Sequence, residues 1–250
     1  MKRCIARFYW GINDKSNRVL ARKGRVDGNL IALTKNPYNT EYINLVWGTA
    51  NAEYLKNLGF KNIELVYKEP YQWDLTTQQY RHKLEGLKIC MEDLGYDQIV
   101  HADYDAYPTK PLPADFWKQL ESKNPIQGNL QQYKKSKCYW RKDGLDIRKV
   151  FNGGFIYIGD RSIPSEIIKV YDSPANINKR SCEPAMSLYL DNLNGGWIGT
   201  EEFRKRYECE MCNLSRNSCY GRYPVHPNAC FIHFAGLGSI ERDLKRMDLL

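Results

Sequence analysis

The sequence is most informative at Gln98-Ile-Val-His-Ala-Asp-Tyr-Asp-Ala-Tyr-Pro108, where a short apolar run, Ile99-Val100, leads into two aspartates one residue apart. The apolar run followed by a proline-rich segment is typical of a buried strand that ends in a turn. Two carboxylates at a strand end, Asp103 and Asp105, can hold one hard divalent cation, which also binds substrate phosphates. The stretch therefore predicts a metal–diphosphate site at the carboxyl edge of an α/β sheet.

The residues on either side of this stretch predict an alternation of strands and helices. We expect strands at 4–10, 43–47, 63–67 and 99–100, and helices at 51–58 and 77–94. The polar, glycine-containing segment 11–29 is expected to be a loop. Strand–helix alternation over about 110 residues favours an α/β fold with a mostly parallel, Rossmann-like sheet flanked by helices.

The second half of the chain is less regular. It predicts a strand at 150–158 that is interrupted by two glycines, helices at 165–171 and 183–190, and a last strand at 229–234. No composition shift marks a linker, so we expect a single domain over residues 1–250 with an irregular, cysteine-rich C-terminal part.

Composition places the chain among globular proteins. Of its 250 residues, 42% are hydrophobic and 26% are charged, which excludes a disordered chain. No apolar run approaches the roughly 18 residues that a membrane span needs, and no apolar core of a signal peptide follows Met1. We expect a soluble cytoplasmic protein with its cysteines reduced or metal-bound, and a bacterial or phage-infected host cell is one setting that fits.

The net charge of +8 is concentrated in two segments. Residues 1–35 carry nine basic and two acidic side chains, and residues 131–150 carry seven basic and two acidic ones. A local basic excess favours a polyanionic partner, such as nucleic acid or a phosphorylated substrate. Solvated basic loops without a partner would explain the same pattern.

Two further motifs are candidates for the site. Phe151-Asn-Gly-Gly-Phe155 places glycines inside a strand pattern, which indicates either an ordinary bulge or a close approach of the backbone to a ligand. Asn152 could offer its amide to sugar hydroxyls. His233 ends the last apolar strand, where it is either a satisfied core residue or, if it meets the aspartates, a third metal ligand.

Taken in order, these motifs resemble the metal-dependent GT-A glycosyltransferases, most closely the glycogenin-like retaining family. The resemblance covers residues 80–236 and rests on five elements: Lys83-Leu84, Asp103-Tyr-Asp105, Asn152-Gly153-Gly154, Glu183 at the start of a helix, and His233-Phe-Ala-Gly236.

The resemblance implies a GT-A fold and a sugar transfer from a nucleotide diphosphate sugar, with a UDP-sugar as the expected donor and with retention of configuration. It implies Mn²⁺ or Mg²⁺ on Asp103, Asp105 and His233, and Glu183 as the catalytic residue beside the anomeric carbon. The donor would contact residues of several elements: Tyr9, Arg81, Lys83, Asp103, Asn152, Gly153 and Gly154.

The sequence departs from the family pattern in three places. Glu183 and Pro184 stand where the family has Asp-Gln, and Phe8-Tyr-Trp10 replaces smaller polar residues. The Lys-Pro-Trp that follows the family's histidine motif is replaced by Leu237-Gly-Ser-Ile, so phosphate neutralisation would fall to Lys83 or Arg81.

The cysteines raise a separate question. Cys209-x2-Cys212-x6-Cys219-x10-Cys230 contains one pair with metal-ligand spacing, and His226 and Cys182 are additional candidate ligands. A structural Zn²⁺ would explain how an irregular insertion at 205–230 stays folded. Ordinary buried or surface thiols are the alternative.

The sequence leaves two classes of function open. The first is a metal-dependent glycosyltransferase whose acceptor is a polyanion, with hydroxymethylated phage-type DNA as the leading guess, or else a surface glycan or a protein. The second is a basic, zinc-stabilised nucleic-acid-binding module without catalysis, in which Asp103 and Asp105 only form a turn.

Overall fold

The computed structural model describes residues 1–10, 23–39, 42–66, 80–121, 125–132, 149–174, 182–192, 211–213 and 230–233. Within these ranges the strands are β1 (Arg3–Tyr9), β2 (Tyr42–Trp47), β3 (Ile63–Val66), β4 (Gln98–Ala102), β5 (Ala106–Pro108), β6 (Ile126–Gln132), β7 (Lys149–Ile158), β8 (Met211–Asn213) and β9 (Phe231–His233). The helices are α1 (Lys23–Lys35), α2 (Thr49–Asn57), α3 (Arg81–Lys88), α4 (Phe116–Glu121), α5 (Ile163–Asp172) and α6 (Glu183–Asn192).

Six strands form one sheet in the order β3-β2-β1-β4-β7-β6. β1 pairs in parallel with β2, and β2 with β3, whereas β6 and β7 form an antiparallel pair at the other edge. The order β3-β2-β1-β4 is that of a doubly wound sheet, in which ligands bind at the carboxyl ends of the strands where the order reverses. The structure confirms the predicted α/β class with a mostly parallel sheet flanked by helices.

The chain divides into two compact units. One consists of residues 1–4, 72–101 and 115–203, and the other of residues 5–71, 102–114 and 204–250. We call them the bulge unit and the aspartate unit, after the motifs they contain. The boundary falls inside β1 and inside β4, because both strands contain residues of both units. The single domain over 1–250 stays a prediction.

The aspartate unit has a core of side chains from β1, β2, β5, β9, α1 and α2, together with Phe60, which follows α2. Its buried members are Tyr9, Leu30, Leu33, Val46, Ala52, Leu55, Phe60, Tyr107 and Ile232. The expected loop over 11–29 is wrong at residues 23–29, which belong to α1. Two glycines, Asp27 and Asn29 suggest a loop, but burial of Leu30 and Leu33 outweighs these weak local preferences.

The bulge unit is built from α3, α5 and α6 on β7. α5 packs against α3 and α6, and α6 packs against β7. The helix predicted over 77–94 is confirmed from residue 81, and Ile89–Asp93 continue α3 as a π-helical turn. Helices predicted at 165–171 and 183–190 and the strand at 150–158 are also confirmed, each within two residues at its ends.

Within the ranges described, no helix is both long and apolar enough to cross a bilayer.

Candidate active site

The aspartate pair lies on a tight turn between β4 and β5. Ala106 N–H donates to Asp103 O at 2.9 Å, which closes a turn with Asp103 in its first position. Aspartate is favoured there because its side chain satisfies turn backbone. β4 is buried on both faces up to Ala102, so the strand ends where the polar turn begins. Both aspartates of the turn are partly exposed. The sequence-based placement of the pair at a strand end is confirmed.

His233 reaches this turn through the small second sheet. β5 pairs antiparallel with β9, and the register sets Ala106 opposite His233. Thr109 N–H also donates to Cys230 O at 2.7 Å, which extends the pairing. The imidazole therefore comes from a segment more than 120 residues further along the chain, and the structure brings together the three predicted metal ligands.

Asp103, Asp105 and His233, hereafter the aspartate group, can each offer one ligand atom, and these atoms lie within 4.8 Å of one another. His233 Nε2 is 3.2 Å from Asp105 Oδ1. Asp105 Oδ1 is buried and accepts no hydrogen bond from any residue of the described ranges. A buried carboxylate oxygen without a donor costs free energy unless a cation or water satisfies it. Two carboxylates and an imidazole fit Mn²⁺, and the residues thus suit the metal that the resemblance implies.

Arg7 also belongs to this region, although the sequence motifs do not include it. Its side chain is fully buried in β1, and its guanidinium donates to carbonyl oxygens of the turn: Nη1 to Asp103 O, and Nη2 to Ala106 O at 2.9 Å. The available signal was a basic residue in the middle of an apolar strand, since buried charges need partners.

Lys83, Gly153 and Glu183, hereafter the bulge group, meet in the other unit. Lys83 is 3% exposed, and its Nζ donates to Gly153 O at 2.8 Å. Gly153 N–H donates to Glu183 Oε1 at 3.1 Å. Both backbone groups of one glycine are thus held by charged side chains from α3 and from the start of α6. Three of the predicted site residues are therefore in direct contact.

The glycine pair forms a bulge in β7. Between Gly128 and Asn129 of β6, the partner on β7 changes from Ile156 to Asn152, so Gly153 to Phe155 have no partner on β6. Unpaired backbone is what allows Gly153 to bond to side chains instead. A methyl group on Gly153 would lie 3.3 Å from Lys83 Nζ and 3.4 Å from Cys182 Sγ, which explains the glycine.

The other residues predicted to contact the sugar nucleotide lie in different environments. Tyr9 is 2% exposed within the core of the aspartate unit, and burial raises the pKa of its hydroxyl far above the usual value. Arg81 is bound by two carboxylates, Glu85 Oε1 at 2.7 Å and Asp172 Oδ2 at 2.6 Å. Gly154 is buried in the bulge. The backbone of Asn152 lies in β7. The contacts of these residues with a donor stay predictions.

The predicted zinc ligands lie mostly outside the described residues. Cys209, Cys219 and His226 fall there, and of Cys212 only the backbone, in β8, is described. Cys230 and Cys182 are both buried and form no disulfide within the described residues; Cys230 Sγ lies 3.7 Å from Pro111 O, and Cys182 lies beside Gly153. The zinc site therefore stays a prediction.

Comparisons with known proteins find likeness only at the level of structure. No protein-family profile matches the sequence, and no curated protein matches it either. Mouse xyloside xylosyltransferase 1 in its apo form is 10% identical, with a TM-score of 0.49 over 96% of this chain and 100% of that one.

Two further solved structures are similar over most of the chain. The glycosyltransferase GlyE of Streptococcus pneumoniae is 11% identical with a TM-score of 0.48, and the alignment covers 94% of this chain but 54% of GlyE, about half its length. A glycosyltransferase involved in glycosylation of the major capsid of PBCV-1 is 12% identical with a TM-score of 0.47, covering 100% of both chains. At these identities and scores, the site geometry alone carries the functional argument.

Proposed function

We propose that the chain is a metal-dependent glycosyltransferase of the GT-A type that moves a sugar from a nucleotide diphosphate sugar to an acceptor. The observation that carries the proposal is the aspartate group, whose three ligand atoms lie within 4.8 Å of one another at the end of a central strand. Support comes from Asp105 Oδ1, which is buried and accepts no hydrogen bond in the described ranges although His233 Nε2 lies 3.2 Å away, so a cation between them would satisfy both atoms. The order of the five family-like motifs along residues 80–236 favours the same reaction.

In this proposal the aspartate group binds Mn²⁺ or Mg²⁺ together with the diphosphate of the donor. A bound cation of this kind neutralises the charge that develops on a departing diphosphate. Asp103 and Asp105 would hold it through carboxylate oxygens, and His233 would hold it through an imidazole nitrogen that carries no proton. The donor is proposed to be a UDP-sugar.

The bulge group supplies the charges that act on the sugar and its leaving group. Glu183 is proposed to stabilise the positive charge that develops at the anomeric carbon, with retention of configuration. Its hydrogen bond from Gly153 N–H would hold one carboxylate oxygen in place, so that little reorganisation accompanies the reaction. Lys83 is proposed to add positive charge near the diphosphate.

The acceptor is proposed to be a polyanion, with hydroxymethylated double-stranded DNA as the leading candidate and a surface glycan or a protein as alternatives. Residues 131–150, with seven basic and two acidic side chains, are the main support for a polyanionic acceptor. The other basic segment supports it less, because Arg7 is fully buried and Arg3 forms an ion pair with Glu121. Affinity for DNA should then fall steeply with salt.

The test is release of nucleoside diphosphate from a panel of sugar nucleotides in the presence of Mn²⁺. We expect turnover with at least one donor, and we expect chelation of the metal to abolish it. Asp105→Asn should lower turnover by about 100-fold or more, because an amide is a much weaker cation ligand than a carboxylate. Asp115→Asn is the matched control, because it makes the same substitution at an aspartate that lies in the bulge unit and outside the aspartate group.

Three results would count against the proposal. If no sugar nucleotide reacted with the wild-type protein, the proposed transferase activity would be wrong. Equal turnover in Asp105→Asn and Asp115→Asn would remove the metal site from the mechanism. DNA binding at low salt without any donor hydrolysis would favour the alternative, a basic nucleic-acid-binding module.

A further inference from the structure

Arg7 is an unusual residue for its position in the fold. β1 is buried on both faces from Cys4 to Tyr9, so the strand has no exposed side towards which a charged side chain could extend. Arg7 is 0% exposed, and within the described ranges no carboxylate forms an ion pair with it. Burying a guanidinium in this way costs free energy unless hydrogen bonds compensate it.

The hydrogen bonds that compensate this charge come from a single segment. Nη1 lies 3.5 Å from Ala102 O and donates to Asp103 O, while Nη2 donates to Ala106 O at 2.9 Å. The ring of Tyr42, 4.4 Å from the guanidinium carbon, covers one face. The carbonyl groups at the start and the end of the aspartate turn thus bind one rigid, planar cation.

The aspartate turn is also held by its own backbone, through the hydrogen bond from Ala106 N–H to Asp103 O. Asp103 O is therefore shared between the turn and Arg7. Because the positions of two metal-ligating carboxylates depend on the backbone of this turn, any group that holds its carbonyl oxygens also sets the geometry of the ligands.

We infer that Arg7 is a positioning residue of the metal site, which pre-organises the turn that carries Asp103 and Asp105 before any cation binds. This inference rests on the proposed function for the identity of the ligand. It also predicts a property of the metal-free protein, and that property can be measured whether or not the proposed function is correct.

The first measurement is Mn²⁺ affinity by electron paramagnetic resonance, on the folded fraction of each variant. We expect Arg7→Met to weaken binding by about 10–100-fold, as loss of groups that orient metal ligands commonly does. Arg7→Lys keeps the positive charge but not the planar, forked guanidinium group, so its Mn²⁺ affinity should lie between those of Arg7→Met and the wild type. Leu55→Ala is the matched control, because it removes a 0% exposed core side chain of the same unit and should lower stability without changing the affinity.

The second measurement is amide hydrogen exchange in the metal-free protein. The Ala106 amide should exchange at least tenfold faster in Arg7→Lys or Arg7→Met than in the wild type, whereas the Ala52 amide, bonded to Gly48 O at 3.1 Å, should not change. If Arg7→Met does not fold, Arg7→Lys alone decides.

The outcomes separate the two claims. Wild-type protein that binds no Mn²⁺ would overturn the proposed function, and exchange at Ala106 would still decide whether Arg7 holds the turn. Wild-type affinity and unchanged Ala106 exchange in a folded Arg7 variant would overturn the inference. The same would follow if Leu55→Ala weakened Mn²⁺ binding as much as the Arg7 variants, because the effect would then reflect stability alone.

Discussion

The aspartate group and the bulge group use their charged side chains in opposite ways. In the aspartate group, Asp105 Oδ1 is buried beside His233 and has no hydrogen-bond donor in the described residues. In the bulge group, Lys83 and Glu183 each hold a backbone group of Gly153. We therefore expect the first arrangement to gain stability from a bound cation, whereas the second already has its hydrogen-bond partners. Substitutions in the aspartate group should therefore weaken cation binding, whereas substitutions in the bulge group that remove a hydrogen bond to Gly153 should lower the stability of the fold.

The largest effect is expected at Glu183, which we propose to act on the reacting sugar. Glu183→Gln keeps the acceptor for Gly153 N–H but removes the charge, so the fold should persist while turnover falls by about 100-fold or more. Donor affinity should be kept, and steady-state kinetics with calorimetric donor binding would show this. If Glu183→Gln turned over at the normal rate, another residue would stabilise the charge on the sugar, and Asp191 is the next candidate.

Substitution of Lys83 tests the comparison between the two groups further, because Lys83 should contribute both to folding and to catalysis. Lys83→Met leaves Gly153 O without its buried donor, and we expect a loss of about 1–3 kcal/mol in unfolding free energy. Arg81→Met on the same helix removes two partly exposed ion pairs and should cost about 1 kcal/mol or less. Urea unfolding of both variants would test the ranking, and equal losses would contradict a structural role for Lys83.

Gly153 tests whether the bulge group is as tightly packed as the distances indicate. A Cβ there would lie 3.3 Å from Lys83 Nζ and 3.5 Å from Met186 Cε, so Gly153→Ala should destabilise the fold by about 1–3 kcal/mol. Gly28→Ala is the control, because nothing lies within 4 Å of its Cβ in helix α1. That change should stabilise the protein by about 0.5–1 kcal/mol. Thermal unfolding would test both variants. Unfolding temperatures that shift in the same direction in Gly153→Ala and Gly28→Ala would contradict this account.

The smallest effect is expected at Asp97, outside both groups. The Lys2 backbone N–H, and then the charge of Arg161, hold the pKa of this carboxyl below its ordinary value of 3.8. A lowered pKa in the folded state stabilises the fold above the unfolded value, and the gain is lost as the pH falls through the folded value. Asp97→Asn should therefore lower the unfolding temperature slightly at pH 7, and the difference should shrink as the pH falls below the ordinary pKa of 3.8. If the difference in unfolding temperature between the wild type and Asp97→Asn grew as the pH fell, the pKa of Asp97 would not be lowered in the folded state.

Sequence reasoning succeeded where local pattern determines structure. The apolar run before Asp103 and Asp105 identified the strand and its turn, and the glycines at 153 and 154 marked the bulge in β7. The resemblance implies His233 as a metal ligand, but from the residues alone it is one only if it meets the aspartates. That condition depended on the pairing of β5 with β9, which joins segments far apart in the chain and has no local signal.

The failures have a common cause in tertiary packing. α1 contains glycine, aspartate and asparagine and reads as a loop, yet Leu30 and Leu33 anchor it in the core. Arg7 in the middle of an apolar strand signals a buried charge, but only the structure shows that its partners are carbonyl oxygens of the turn. In both cases burial against distant residues outweighs a local preference.

The measurement that tests the central claim most directly is calorimetric titration of the protein with Mn²⁺, without any donor. The account predicts one site in the wild-type protein, an unchanged site in Asp115→Asn, and binding at least about tenfold weaker in Asp105→Asn, which loses a charged ligand. Equal Mn²⁺ affinity in all three proteins would contradict the assignment of Asp103, Asp105 and His233 as the metal site.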